Sequence, residues 1–107
     1  MSGIAELQPA EFAANWQSNA TVLLDVREPI ELTLAAIEGA SHIPMGQVSD
    51  RLSELDQTKT IVVMCHSGMR SMIVAQLLKN SGFDQVFNLA GGIDAWSRLV
   101  DASVPRY

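Results

Sequence analysis

The chain has 107 residues, of which 48% are hydrophobic and 18% are charged, and its formal net charge is −5. This length suits one domain, and the small charged fraction argues against a long disordered region. The negative charge argues against non-specific nucleic-acid binding, which needs a basic surface. Any anion-binding site must therefore depend on local groups and not on the overall field of the protein.

The N-terminal residues and the cysteine content narrow the cellular setting. Residues 1–9 lack the basic start and apolar core of a signal peptide, and no apolar run approaches the roughly 20 residues that span a bilayer. We therefore expect a cytoplasmic protein with no membrane partner. Cys65 is the only cysteine, so the chain can form neither an internal disulfide nor a pair with a resolving cysteine.

Apolar runs that suit strands alternate with segments of helical spacing. In chain order, the first half predicts a weak strand over residues 4–7, a helix over 9–18, a strand over 21–24, a short helix over 28–32 and a turn with a brief edge strand over 39–44. The second half predicts a helix-like segment over 47–55, a strand over 61–64, a helix over 72–78, a strand over 86–89, a short helix after 90–92 and an irregular tail from about 101. Pro9 and Pro29 suit the first turns of their helices.

The helix after the strand at residues 61–64 has a clear apolar stripe. Its buried face is predicted to consist of Ile73, Val74, Leu77 and Leu78, and Gly82 fits its C-terminal cap. The alternation of strands and helices predicts an α/β domain with a mostly parallel sheet. Ligands of such sheets bind at the carboxyl ends of the strands.

Cys65 lies at that end of its strand, immediately before a polar loop and a helix. A thiol in a strand-to-helix turn faces the free backbone N–H groups that begin the helix, and these favour an anion and lower the pKa of a cysteine. Gly68 lets the loop curl through a positive φ, and Arg70 adds a permanent positive charge. A lone cysteine beside an apolar strand is more often an inert core residue. This loop instead favours a sulfur nucleophile in a cradle for an anionic substrate.

With these residues placed, the chain resembles the single-domain rhodaneses, which are sulfurtransferases. The likeness extends over nearly the whole chain, and the matching segments are residues 24–31, 39–44, 61–71 and 82–96. The resemblance implies one rhodanese-like domain over residues 1–107, with the irregular tail from about 101. It also implies a mostly parallel five-stranded sheet flanked by helices on both faces, and neither a cofactor nor a metal site.

The resemblance implies a thiosulfate sulfurtransferase. Cys65 would accept a sulfane sulfur from thiosulfate, a similar anion or a persulfide donor, and would become a persulfide. The sulfur would then pass to cyanide, to a small thiol or to a protein thiol. Because the chain has no second cysteine, that acceptor must be another molecule.

The resemblance also assigns the site. It implies two catalytic residues, Cys65 as the nucleophile and Arg70 as the group that steadies the anion and supports the loop. The substrate-binding residues, chiefly through their backbone amides, would be His66, Ser67, Gly68, Met69, Arg70 and Ser71. Asp25 and Arg27 are expected to brace the loop. The family commonly has an arginine directly after the cysteine, and His66 stands there in this chain.

Three alternatives share parts of this pattern. A phosphatase with an anion cradle would place five residues between cysteine and arginine, whereas four separate Cys65 from Arg70. A non-catalytic interaction module would not need the intact loop around a cysteine. A redox sensor is the third alternative, because an activated thiolate oxidises readily.

Overall fold

The computed structural model describes residues 3–16 and 20–107. In chain order the elements are β1 (Ala5–Leu7), α1 (Pro9–Asn15), β2 (Thr21–Asp25), α2 (Pro29–Leu32), β3 (Ser41–His42), β4 (Thr60–Met64), α3 (Met69–Asn80), β5 (Val86–Leu89) and α4 (Gly92–Leu99). Two short 3₁₀ helices, Met45–Asp50 and Leu52–Glu54, lie between β3 and β4. The predicted end of the first helix, near Ser18, falls outside the described residues. No helix within the described ranges is both long and apolar enough to cross a bilayer.

The five strands form one sheet in the order β1-β5-β4-β2-β3, and neighbouring strands are all parallel. Parallel neighbours need crossover connections, which accounts for the helical segments between the strands. The predicted five-stranded α/β fold is confirmed, with a sheet that is parallel throughout. β4 is the central strand, so its carboxyl end places Cys65 at the middle of the sheet edge.

Each face of the sheet packs against its own hydrophobic core. Successive side chains of a strand point to opposite faces, so Ile61 and Val63 of β4 enter one core while Val62 and Met64 enter the other. Helix α3 and the first 3₁₀ helix cover the first core, and α1 and α4 cover the second. The four β4 side chains are fully buried. The expected helices on both faces are thereby confirmed, and burial on both faces explains the unbroken apolar run of β4.

The end of α3 is fixed by the predicted glycine cap. Gly82 has a φ of +98°, in the left-handed region that glycine adopts without strain. Its N–H donates to the Lys79 carbonyl at 3.3 Å, and the Phe83 N–H donates to the Leu78 carbonyl at 3.1 Å. This pair of hydrogen bonds is the Schellman motif, and it returns the chain toward β5.

Two local predictions need correction. Ile73 was predicted to be in the buried stripe of α3, but it is 64% exposed. The row that faces the sheet has the helical spacing i, i+3, i+4 and i+7, and it consists of Ser71, Val74, Ala75 and Leu78. The predicted helix-like segment over 47–55 forms two 3₁₀ helices, which meet at Arg51, where φ is −122°. Val48 is fully buried, and Leu52 and Leu55 pack against the same core as partly buried side chains. The segment therefore faces the core as expected, but as two short 3₁₀ pieces and not as one α-helix.

The corrected stripe predicts opposite results for two substitutions in α3. Leu78→Ala should lower the free energy of unfolding by about 2–5 kcal/mol, because it leaves a cavity in a fully buried site. Ile73→Ala should change it by less than about 0.5 kcal/mol, since that side chain is mainly in water. Urea denaturation of both variants measures this difference, and equal losses would contradict the assigned face.

Candidate active site

The loop after β4 curls around the sulfur of Cys65. Gly68 ends the loop directly before α3, and its φ of +111° confirms the expected left-handed conformation. The curl brings the Gly68 N–H within 3.1 Å of the Cys65 Sγ, to which it donates. Cys65 itself is only 1% exposed, so the sulfur lies beneath the loop and not on the open surface.

Hydrogen-bond donors surround this sulfur. The Ser71 hydroxyl lies 3.3 Å from Sγ. Burial alone would raise the pKa of the Cys65 thiol, but the Ser71 hydroxyl and nearby backbone amides outweigh burial and lower this pKa below its ordinary value. The amides are those of Ser71, Gly68 and Ser67. The site therefore favours the thiolate, which is the nucleophilic form of cysteine.

The N-terminus of α4 holds the loop in this shape. The N–H of Ile93 donates to the Cys65 carbonyl at 2.9 Å, and the N–H of Asp94 donates to the His66 carbonyl at 3.1 Å. These N–H groups belong to the first turn of α4, where they have no partner within the helix. The C=O and N–H of one trans peptide point in opposite directions. Because α4 draws the His66 carbonyl outward, the Ser67 amide of the same peptide turns inward toward Sγ.

Gly92 makes this close approach feasible. A Cβ atom at this position would lie 2.4 Å from the Cys65 carbonyl oxygen and 2.5 Å from that of His66. Both contacts are with backbone atoms, which cannot rotate away as a flexible side chain could. Gly92 also has a φ of +59°, so glycine serves here both for space and for backbone conformation.

Arg70 is directed at a carboxylate on α2. Its two terminal nitrogens donate to the two carboxylate oxygens of Glu31, at 2.6 and 2.9 Å. These hydrogen bonds lower the pKa of Glu31 to about 2 and raise the pKa of Arg70. The sequence-predicted catalytic arginine thus adjoins the loop, but Glu31 occupies the ends of its guanidinium fork.

The other predicted substrate-binding residues differ in whether their backbone or their side chain faces the loop. Ser67 and Gly68 direct their amides at the sulfur, as described above. The side chain of Met69 is 79% exposed, so this residue offers the loop only its backbone. His66 stacks its ring on that of Tyr107, with the ring centroids 4.3 Å apart and the planes 12° from parallel.

Asp25 and Arg27 form a buried ion pair beside the loop. The Arg27 Nη2 lies 2.7 Å from the Asp25 Oδ2, and neither residue is more than 1% exposed. Arg27 also donates to the Ala35 carbonyl at 2.9 Å, and His42 bonds to the Arg27 carbonyl at 2.7 Å. The pair thus ties the end of β2 to the segment after α2 and to β3. A bracing role, as expected from the sequence, remains a prediction.

The sequence analysis did not predict that Tyr107 and Glu31 link Arg27 to Arg70 by hydrogen bonds. Tyr107, in the tail without helix or strand, accepts a hydrogen bond from Arg27 at 2.8 Å and donates one to Glu31 at 2.8 Å. Glu31 matched a family segment, but nothing local indicated Arg70 as its partner, 39 residues away. The aromatic character of Tyr107 in an unpatterned tail was the only signal for that residue.

A further missed residue, Asn88 of β5, lies behind the loop and is fully buried. Its amide nitrogen donates to the Glu6 carboxylate at 3.0 Å and to the Gly68 carbonyl at 3.1 Å. Its amide oxygen accepts from the Ser71 hydroxyl at 2.5 Å. Among the described residues, no group of three or more His, Cys, Asp and Glu side chains could hold a metal ion.

Comparison with known proteins identifies the family. The Rhodanese-like domain model matches residues 8–99, and the chain belongs to this family. A protein named Sulfurtransferase from Allochromatium vinosum is 38% identical over 77 residues, which cover 72% of each chain. These findings confirm the family that the sequence resembles, and they support sulfur transfer as the general class of activity.

Two further likenesses extend this comparison. The chloroplastic Rhodanese-like/PpiC domain-containing protein 12 of Arabidopsis thaliana is 43% identical over 89 residues. That match covers 79% of this chain but only 30% of the relative, so the chain corresponds to less than a third of that protein. The crystal structure of a rhodanese-related protein from Thermoplasma volcanium has a TM-score of 0.81 and 29% identity, over 88% of this chain and 91% of that one.

The contact between Gly92 and the loop predicts a position-specific effect of alanine. Gly92→Ala should push the Cys65 and His66 carbonyls away from α4, because the added Cβ meets both oxygens. We expect a loss of stability in urea denaturation and slower alkylation of Cys65 at neutral pH. Gly46→Ala is the matched control, since its Cβ would meet nothing within 4 Å. Equal behaviour of the two variants would contradict the proposed tight contact.

The ion pair between Glu31 and Arg70 predicts a loss of stability in acid. The pKa of Glu31 is lowered from 4.5 to about 2 in the folded protein, so its stabilisation is present above pH 4.5 and is lost as the pH falls toward 2. Between pH 6 and pH 3, the wild type should lose about 1–3 kcal/mol more than Glu31→Gln. Glu38→Gln, which changes an exposed glutamate outside this pair, should behave as the wild type does. Parallel stability curves for all three proteins would refute the contribution of the pair.

Proposed function

We propose that the protein is a thiosulfate sulfurtransferase in which Cys65 carries the transferred sulfur as a persulfide. The observation that carries this proposal is the set of donors around the Cys65 Sγ, led by the Gly68 amide at 3.1 Å. The family and the named sulfurtransferase relative support the same class of reaction. The proposed setting is the cytoplasm, where thiols stay reduced.

In the first half-reaction, the Cys65 thiolate attacks the outer sulfur of thiosulfate. A new S–S bond forms at Sγ, the S–S bond of thiosulfate breaks, and sulfite leaves with the bonding electron pair. The outer sulfur of the persulfide then carries the negative charge. Inward-facing amides at the N-terminal end of α3 stabilise such a charge, because they are held in place before the reaction begins.

In the second half-reaction, an acceptor attacks the outer sulfur of the persulfide. Cyanide leaves as thiocyanate, or a thiolate leaves as a new persulfide, and the Cys65 sulfur keeps the electron pair of the broken bond. Because Cys65 is the only cysteine of the chain, the acceptor has to be a second molecule. The two half-reactions therefore form a double displacement.

In this proposal Arg70 contributes its positive charge beside the loop and does not itself bind the donor through its terminal nitrogens. Glu31 occupies both terminal nitrogens of its fork, so a bidentate grip on the donor is not the role that the pair favours. The charge of Arg70 still attracts an anion and favours the Cys65 thiolate, which in turn contributes to raising the pKa of Arg70. The backbone amides supply the directed hydrogen bonds.

The alternatives have less support from this geometry. The four residues between Cys65 and Arg70 form a shorter loop than the five of a phosphatase cradle, and a tight loop suits a single sulfur better than a phosphoryl group in transfer. A redox sensor commonly pairs its activated thiolate with a resolving cysteine, and Cys65 is the only cysteine of the chain. The donors around Sγ would have no purpose in a binding module without catalysis.

The decisive test combines a variant with a mass measurement. Incubation of the wild type with thiosulfate should add the mass of one sulfur, and cyanide should remove it with release of thiocyanate. Cys65→Ser should fold but neither gain this mass nor turn over, because an alcohol is a far weaker nucleophile at neutral pH. Double-reciprocal plots of the initial rate against thiosulfate concentration, measured at several cyanide concentrations, should be parallel lines. Turnover by the serine variant, or intersecting lines without any adduct, would refute the persulfide mechanism.

A further inference from the structure

The amide of Asn88 has only one orientation that its neighbours permit. Its nitrogen has two hydrogens, and two acceptors face it, the Glu6 carboxylate at 3.0 Å and the Gly68 carbonyl at 3.1 Å. Neither of these oxygens can donate, so a flipped amide would place its oxygen against two acceptors. The Asn88 Oδ1 is therefore fixed toward the Ser71 hydroxyl, 2.5 Å away.

Ser71 has one hydroxyl proton and two neighbours that can accept it. The Asn88 Oδ1 at 2.5 Å can only accept, and the Cys65 Sγ lies farther away, at 3.3 Å. The shorter bond therefore draws the proton toward Asn88 and limits the donation to Sγ through which Ser71 lowers the pKa of the thiol. In this preferred orientation the Ser71 Oγ offers a lone pair to the sulfur. The protonated thiol suits this arrangement, because Sγ–H can donate to Oγ while Oγ–H donates to Oδ1.

The thiolate does not suit this arrangement. A sulfur anion needs donors, and Ser71 can serve as one only by turning its proton away from Asn88. That rotation would leave the amide oxygen of a fully buried side chain facing the lone pairs of Ser71. A buried acceptor without a donor is unfavourable. Asn88 therefore competes with the thiolate for the same proton.

We propose that Asn88 is a positioning residue that holds the Ser71 hydroxyl away from the Cys65 thiolate and so favours the sulfur-loaded enzyme over the free thiolate. The persulfide part of this statement rests on the proposed function. In a persulfide the charge is on the outer sulfur, and Sγ is a neutral sulfur with two covalent bonds. Ser71 can then keep its hydrogen bond to Asn88. Discharge restores the thiolate and with it the competition for the proton.

Other ionisable groups around the loop have partners outside this competition. Arg70 of α3 is paired with Glu31 of α2, and His66 stacks on Tyr107 of the tail. Asp94 of α4 is paired with the side chains of Arg98 and Arg106. Glu6 of β1 bonds to the nitrogen of Asn88, on the side away from Ser71. A substitution of Asn88 therefore leaves these ion pairs in place.

The test is a double-mutant cycle read by the pKa of the Cys65 thiol. Asn88→Leu removes the acceptor with a side chain of similar size, and Ser71→Ala removes the proton. The pH dependence of alkylation by iodoacetamide gives the pKa in each protein. Asn88→Leu should free the Ser71 proton for the thiolate and raise the thiolate-to-thiol ratio about threefold to tenfold at a fixed pH. In the Ser71→Ala background, the same substitution should change this ratio less than about twofold.

Three outcomes would overturn the proposal. An equal effect of Asn88→Leu in both backgrounds would show that it acts through the Gly68 carbonyl and the loop. A lower ratio in Asn88→Leu would show that the amide helps the thiolate. Ser71→Ala alone supplies a test should Asn88→Leu not fold, because direct donation by Ser71 predicts at least a threefold fall in the ratio, whereas the proposal predicts less than twofold.

A second readout follows the persulfide. After loading with thiosulfate and removal of the donor, the Asn88→Leu persulfide should lose its sulfur to cyanide at least threefold faster than the wild type, because its leaving thiolate is better stabilised. An unchanged or slower discharge would overturn the claim about the loaded state. If no persulfide forms in the wild type, the proposed function fails, while the alkylation experiment still decides the role of Asn88.

Discussion

Two backbone amides at the N-terminus of α4 hold the loop on which the proposed chemistry depends. They bind the carbonyls of Cys65 and His66, and the inward direction of the loop amides follows from that restraint. Gly92 permits the approach because any Cβ would strike the same carbonyls. Since α4 also forms part of the second core, the geometry around the sulfur is fixed by packing far from the sulfur itself.

This restraint is how a protein with a net charge of −5 would favour an anion at one place, as the proposed function requires. Oriented backbone N–H groups carry partial positive charge that is independent of the surface charge. The one cation of the loop, Arg70, is largely neutralised by Glu31, which itself receives the hydroxyl of Tyr107. Local dipoles therefore matter more here than full charges, and their strength is set by how rigidly the loop is held.

The parts predicted from sequence are those with a local physical cause. The apolar run of β4, the loop glycine and the Gly82 cap each follow from residues within a few positions, and the structure confirms them. The prediction that Ile73 faces the sheet was wrong. Hydrophobic periodicity indicates that a segment is helical more reliably than it indicates which row of side chains packs against the sheet. The hydrogen bonds from Tyr107 to Glu31 and from Asn88 to Glu6 join residues 76 and 82 positions apart. No local pattern encodes such pairs, and only the completed fold brings them together.

Under the proposed mechanism, the site has to satisfy two opposed demands on one sulfur. A lower pKa of Cys65 provides more thiolate for attack on the donor, but it also makes that thiolate a better leaving group and less nucleophilic. The loop amides and Ser71 lower the pKa, whereas the short bond from Ser71 to Asn88 limits how far the hydroxyl can contribute. A carrier that must hold a sulfur until an external acceptor arrives gains from such a limit. Under the proposed mechanism, the buried amide of β5 would therefore act on the balance between loading and release through its hydrogen bond with Ser71.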